Sequence, residues 1–215
     1  MMNSPTIINL NTVPVFVTNI GIPITKEELE IFKSIELSRQ YGEDGNYLSE
    51  EIHVLKTYNL ERVKKICDDH VNYYTQEILK IKNKFSMTKS WLSLNVKGTK
   101  HHAHSHRNTM ISCVLYFDEY LSNQPMANIN FEQPGLDSIF KTFQFQFDNI
   151  EHNQYNSPIA MVKPTTGTII VFPGWIRHET DLSESEVKRY CLGTNYFLEG
   201  STGKGYHNLS ISLSE

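Results

Sequence analysis

Cysteine is scarce in this 215-residue chain: Cys67, Cys113 and Cys191 are few, odd in number and far apart. That excludes a disulfide framework and a cysteine-type zinc site. A basic surplus is missing as well, since 20 Lys+Arg stand against 24 Asp+Glu for a formal charge of −4. The pI near 6.1 argues against a dedicated nucleic-acid binder, whose domains usually lie above about 9. No apolar run approaches the ~20 residues of a membrane span. The segment 1–11 also lacks a charged stretch followed by a long apolar one. These absences lead us to expect a soluble protein of a reducing cytoplasm, with no nucleic-acid or membrane partner. Repeats, low-complexity tracts and dividing linkers are absent too, and so is an HExxH pair on a helix. What is present is enough apolar material for an ordinary core, at 39% hydrophobic and 11% aromatic residues. Histidine is the conspicuous residue, with nine in all, four of them falling between His101 and His106.

The spacing predicts two helices and then strands. Ile7, Ile8, Val13, Val15 and Val17 suggest an early strand or two. Thr25 followed by Glu28 is a capping-box signature, with a helix expected from about 26 to 40. Residues 41–58, with Gly42, Asp44, Gly45 and Asn46, read as a surface loop. Asn59 is the expected cap of a longer helix whose stripe of Leu60, Val63, Ile66, Cys67, Val71, Tyr74, Ile78 and Ile81 recurs mostly at steps of three and four. His70 on that helix reads as a surface or packed histidine. From Thr88 onward, short β-rich segments are expected at 88–96, 109–117, 126–131, 139–147, 158–162, 167–172, 187–198 and 208–213. The alternation Phe143-Gln144-Phe145-Gln146-Phe147 is the period-two signal of a strand. Helical support over about 25–84, carrying a β-rich core over about 86–215 within one domain, suggests a mainly β protein, a helix-supported sandwich or jelly roll.

A histidine cluster by itself is weak evidence for metal, since a solvated loop can carry several. In an extended chain, however, alternate side chains share a face, so His104 and His106 point together, in register with Ser112, Val114 and Tyr116. The pair His102/His104 has the same spacing. Later, an apolar strand Gly167 to Phe172 stops at Pro173-Gly174, and His178 follows just past the turn. Arg189 then opens another strand, and alternation puts Arg189, Cys191, Gly193 and Asn195 on one face. Small residues beside a cation leave room for a ligand, and a guanidinium suits a bidentate grip on a carboxylate. The plainer reading of Arg189 is an exposed strand-start arginine beside Glu186 and Lys188; the combination favours the other. Two close histidines, a distal histidine and an arginine on a β scaffold form the layout of a non-haem iron centre with open coordination positions.

At these residues the chain resembles the 2-oxoglutarate–Fe(II) oxygenases found in marine bacteria and their phages, relatives of the prolyl 4-hydroxylases with an H-x-H pair. The residues that carry the likeness are Trp91, Gly98, His104-Ser105-His106, Ser112-Cys113-Val114-Leu115-Tyr116, Phe172-Pro173-Gly174-Trp175, His178, Arg189 and Asn195. They span about residues 88–198. Cys113 stands where the family has Gly, Gly174 where it has Ser, and Arg107 where Pro is usual. Most 2-oxoglutarate oxygenases use H-x-D, so His106 replaces an aspartate and leaves the iron with more net positive charge.

The resemblance implies a double-stranded β-helix (a cupin-like jelly roll) and a dioxygenase that consumes O2 and releases succinate and CO2 while hydroxylating a small-molecule or peptidyl substrate. It implies Fe(II) on His104, His106 and His178, and 2-oxoglutarate held by Arg189 with Tyr116, Ser112 and Asn195. Trp175, Phe172 and Trp91 are expected walls of the pocket, with ordinary core packing as the alternative for each. It implies a cytoplasmic location, that of the host if a phage encodes the chain. His101 and His102 are expected to be bystanders, and the loop Asp148 to Ser157, with His152, to be a lid or merely a turn. Two other readings stay open at this point. One is a cupin-like metalloenzyme that does not use 2-oxoglutarate; the other is a jelly-roll module without catalysis.

Overall fold

The computed structural model describes residues 12–21, 23–118, 127–135 and 148–213. In chain order its strands are β1 (Phe16–Asn19), β2 (Leu37–Arg39), β3 (Tyr47–Ser49), β4 (Lys84–Asn95), β5 (Ile111–Tyr116), β6 (Ile129–Glu132), β7 (Ile159–Val162), β8 (Thr168–Pro173), β9 (His178–Thr180), β10 (Arg189–Thr202) and β11 (Leu209–Ile211). The helices are α1 (Lys26–Ser34), α2 (Val54–Thr57) and α3 (Glu61–Tyr73), the last running into a π-helical turn at Tyr74–Ile78.

The strands form two sheets. The larger has the order β1-β8-β5-β10-β4-β3-β2, with β11 on the far half of β10, and the smaller has the order β7-β6-β9. An antiparallel bridge from His104 to His178 extends the small sheet past β9. The strands at the centre of the large sheet carry different cargo on their two faces, as the pleat requires. Ile111, Cys113 and Leu115 of β5, with Ile169 and Val171 of β8, join Phe32, Val63, Cys67 and Val71 in a core beneath the helices. The intervening Val114, Tyr116, Ile170 and Phe172 meet Ile129, Phe131 and Ile176 in a second core between the sheets. Both faces of β5 and β8 are therefore covered, which is why these segments read as unbroken apolar runs. Two facing sheets with a filled interior and helices packed outside make the double-stranded β-helix expected from the sequence.

Local chemistry accounts for the helices that position this sheet. The Thr25 hydroxyl accepts from the Glu28 amide at 3.3 Å, and the Glu28 carboxylate accepts from the Thr25 amide at 2.8 Å, the reciprocal capping box. Glu28 also accepts from Arg62 Nε at 2.9 Å, tying α1 to α3. At the turn into β8, Gly167 has φ +81°, and a Cβ there would sit 1.9 Å from the Gly21 carbonyl oxygen, so only glycine fits.

Several boundaries differ from the sequence reading. The first helix ends at Ser34 rather than near residue 40, because Ile35 turns into extended backbone and Leu37–Arg39 pairs with Tyr47–Ser49. The expected surface loop 41–58 thus contains β3 and α2. Asn59 does not cap α3: its φ is +54°, and Leu60 stands at the N-cap without a side-chain hydrogen bond. The strand expected at 139–147, and the Ile7 and Ile8 part of the first strand, lie outside the described residues. Among the described residues, no helix is long and apolar enough to cross a membrane.

Candidate metal and cosubstrate site

Backbone pairing brings the three distant histidines together. The His104 amide donates to the His178 carbonyl and the His178 amide to the His104 carbonyl, each at 2.9 Å, while the His106 amide donates to the Gly174 carbonyl at 2.8 Å. One nitrogen from each of His104, His106 and His178 lies within 4.8 Å of the others.

Hydrogen bonds at the opposite ring nitrogens fix the tautomers. His104 Nδ1 faces the His102 carbonyl at 2.7 Å and His178 Nδ1 the Ile176 carbonyl at 2.9 Å. A carbonyl can only accept, so both Nδ1 atoms carry the proton. His106 Nδ1 lies 2.6 Å from Ser112 Oγ and 2.8 Å from Asn195 Oδ1. Because the Ser112 hydroxyl already donates to Asn195 at 2.9 Å, that nitrogen too is the donor. Every Nε2 is then a bare lone pair, and those of His104 and His106 are 3.2 Å apart. Two lone pairs at that separation repel unless a cation lies between them. Ligands at right angles on bonds of about 2.1 Å are themselves about 3.0 Å apart. The donor set thus fits a divalent ion that accepts imidazole, and each ring is oriented by an oxygen partner as metal-binding histidines usually are.

Electrostatics favour the same state. Burial holds His106 down to about 4 and His178 to about 3, with the His104 imidazole adding to the effect in both. Burial lowers His104 as well. Near neutral pH all three rings are uncharged, the form that binds metal.

The histidines face a cavity whose other end is Arg189. The paired strands β4, β10 and β5 build its floor in rows, with Asn95 beside Arg189, Ser93 beside Cys191 and Tyr116, and Trp91 beside Gly193 and Val114. Gly193 is needed here, since a Cβ would come 2.5 Å from the Trp91 indole that lies over it. Trp91 in turn meets His106 edge-on, with centroids 5.4 Å apart. Arg189 is only 5% exposed. Its Nη1 donates to the Ala127 carbonyl at 2.6 Å, and its guanidinium lies 5.4 Å from the Tyr116 ring centre. Among the described residues no carboxylate pairs with it. A buried cation without a counter-charge costs several kcal/mol, and an anion entering the cavity would relieve that cost.

The structure distributes the expected site residues unevenly. Tyr116, Arg189 and Trp91 line the cavity with the three histidines. Ser112 and Asn195 do not line it; both are spent on His106 Nδ1 and orient that ring. Trp175 is not a wall either, for it is 57% exposed on the turn after β8. Phe172 is fully buried and packs edge-on against His178 at 4.8 Å, holding the ring without lining the cavity. Cys113 faces the helices and only Cys191 reaches the cavity. His152 is exposed, with weak contacts to Asn149 and Ser157 in its own loop. His102 faces Asp44 at 3.1 Å. His101, expected to be a bystander, lines the cavity and stacks on His104 at 4.2 Å. Ser93, Asn95 and Thr180 were missed as well, although Ser93 and Asn95 share the pleat face of Trp91.

The Asn195 contact gives a prediction. Asn195→Leu removes the acceptor that orients His106, and Fe(II) affinity is expected to fall about 10- to 100-fold. Titration of the metal-free protein with Co(II) followed by its visible spectrum measures this, and an unchanged affinity would remove Asn195 from the site.

Comparison with known proteins agrees with this geometry. The family model described as "Putative 2OG-Fe(II) oxygenase" matches residues 89–195, from within β4, just before Trp91, to Asn195 in β10. Among curated proteins none matches. Solved structures share the fold. A 2OG-Fe(II) oxygenase family oxidoreductase from Burkholderia pseudomallei is 12% identical with a TM-score of 0.57, covering 85% of this chain and 84% of its own. A prolyl-4-hydroxylase from Pseudomonas putida is 14% identical with a TM-score of 0.53, covering 88% and 95%. HygX from Streptomyces hygroscopicus, solved with nickel, 2-oxoglutarate and hygromycin B bound, is 11% identical with a TM-score of 0.53, covering 86% and 83%.

Proposed function

The chain belongs to the 2-oxoglutarate–Fe(II) oxygenase family, and from that premise we propose that it hydroxylates a C–H bond of its substrate with His104, His106 and His178 as the iron ligands. Iron and 2-oxoglutarate together supply the oxidising power, one atom of O2 entering the product and the other the succinate released with CO2. The protein's own part is to bind, orient and exclude water. The three neutral imidazoles would hold the metal, which would need positions left over for the cosubstrate and O2. Arg189 pairs with the distal carboxylate of 2-oxoglutarate, with the Tyr116 hydroxyl as a second donor there. Ser112 and Asn195 keep the His106 lone pair aimed at the metal. Trp91 and Val114 close the apolar sides of the cavity against water.

The observation that carries this reading is the buried Arg189, unpaired with any carboxylate among the described residues, in the same cavity as the three imidazoles. Adding Fe(II) and then 2-oxoglutarate without oxygen should produce the visible charge-transfer band of the chelate. No band at saturating cosubstrate would defeat the proposal. Admission of oxygen should then release succinate, and substrate hydroxylation would appear as a mass gain of one oxygen atom.

A further inference from the structure

Four imidazoles, not three, gather at the metal end of the cavity. His101 lies nearly parallel to His104, at 24° between planes, yet it is not one of the three that converge on a common point. Its backbone is fixed on both sides, the amide donating to Thr180 Oγ1 at 2.8 Å and the carbonyl accepting from the Thr180 amide at 3.0 Å. Its ring nitrogens find no hydrogen-bond partner among the described residues, although the ring lines the cavity. An imidazole on a backbone held this firmly, half-buried at the cavity wall and without a protein partner among the described residues, is free to bond a ligand there.

The neighbours of His101 indicate which partner. Thr180 accepts from Asn95 Nδ2 at 3.3 Å, and Asn95 pairs with Arg189 across β4 and β10. His101, Thr180 and Asn95 thus form one wall running from the histidines to Arg189, the path of the cosubstrate under the function proposed above. Along this wall the Thr180 hydroxyl oxygen accepts two bonds, one of them from the Asn95 amide, and keeps its own O–H as a further donor. When the carboxylate at the metal end of 2-oxoglutarate gives one oxygen to the iron, its second oxygen needs a donor. An imidazole has at least one N–H to give.

We infer that His101 is a cosubstrate-binding residue, donating a hydrogen bond to the metal-proximal carboxylate of 2-oxoglutarate while stacked on the ligand His104. The inference rests on the 2-oxoglutarate reading of the site, and the two fail in different ways. His101→Phe preserves the ring and its stacking but removes the donor; His101→Gln restores a donor. Anaerobic titration of the Fe(II)-loaded proteins, read by the charge-transfer band, should give about tenfold weaker 2-oxoglutarate binding and a shifted band for the Phe variant. The Gln variant should recover much of the affinity. Because the contact is at the metal end, 2-oxopentanoate, which lacks the distal carboxylate, should lose affinity by the same factor. Fe(II) affinity itself, measured before cosubstrate is added, should be unchanged in both variants.

A wild-type protein that forms no band defeats the family reading. A wild-type band with unchanged affinity and band position in His101→Phe defeats this inference alone. Loss of Fe(II) in His101→Phe would also overturn it, by making the residue part of the metal site. So would weakening by Trp91→Phe with none by His101→Phe, since the donor would then be the indole.

Discussion

His178→Ala is expected to abolish turnover, by at least about a thousandfold, and to leave a protein that no longer retains Fe(II). His178 is the deepest of the three clustered histidines, at 5% exposed, and its ring is fixed by the Ile176 carbonyl and packed between Phe172 and Phe131. Alanine removes one of the three lone pairs, and the two on His104 and His106 make only a bidentate site open to water. The fold should survive, because the antiparallel bridge between His104 and His178 is made by main-chain atoms and persists in alanine. Thermal unfolding with and without Co(II) separates the two effects. Ligand binding to the native state alone stabilises it by about 4 kcal/mol at a thousandfold excess over Kd. Wild-type protein should show a metal-dependent rise in midpoint and His178→Ala none. A variant whose midpoint still rises with metal would show that the histidine is not a ligand.

Arg189→Met should raise the dissociation constant for 2-oxoglutarate about 100- to 1,000-fold, the usual consequence of removing one partner of a buried, hydrogen-bonded charge pair. The same substitution should leave the cosubstrate-free protein as stable as wild type or more so. Methionine sacrifices a bond to the Ala127 carbonyl, worth roughly 1.5–3 kcal/mol, but it also relieves the burial of a cation that no carboxylate among the described residues pairs, a penalty of several kcal/mol. A residue kept for architecture would behave in the opposite way. Binding of 2-oxopentanoate, which has no distal carboxylate, should be nearly the same in wild type and variant. The result that would refute the assignment is a large drop in unfolding midpoint together with unchanged 2-oxoglutarate affinity.

How much of this was legible in the sequence depended on whether the signal was local. The capping box at Thr25 and Glu28, the apolar stripe through Val63, Cys67 and Val71, and the alternation from Arg189 to Asn195 each follow from a period that a short stretch displays by itself. The strands β2 and β3 have no such period: with three residues apiece they exist because β4 offers an edge, a fact recorded nowhere in their own residues. The short strand β9 escaped notice for the same reason, although it begins at His178. In the site, histidine spacing was readable, but the jobs of Ser112 and Asn195 were not. Both lie on the face expected to meet a cosubstrate, and only the folded register shows that His106 intervenes. Ser93 and Asn95 were within reach, since Trp91 was placed on a strand and its alternate neighbours face the same way. His101 was not, because the pairing with Thr180 that holds its backbone joins residues 79 apart in the chain. Trp175 misled as an aromatic beside a motif, since its turn directs it to solvent while Ile176 fills the interior.

The backbone ties among His104, His178, His106 and Gly174 carry a consequence for how the protein acquires its metal. A chelate whose arms are already locked in place loses little conformational freedom on loading and does not need the ion in order to fold. It therefore has little means of waiting for the right one. Three imidazoles rank divalent ions by intrinsic affinity, and nickel, copper and zinc all stand above iron in that order. Without a carboxylate arm to favour the harder cation, occupancy follows the supply of ions during synthesis and purification. Preparations made in zinc- or nickel-containing media should be inactive yet thermally robust, and should recover activity after chelation and reloading with Fe(II) under anaerobic conditions.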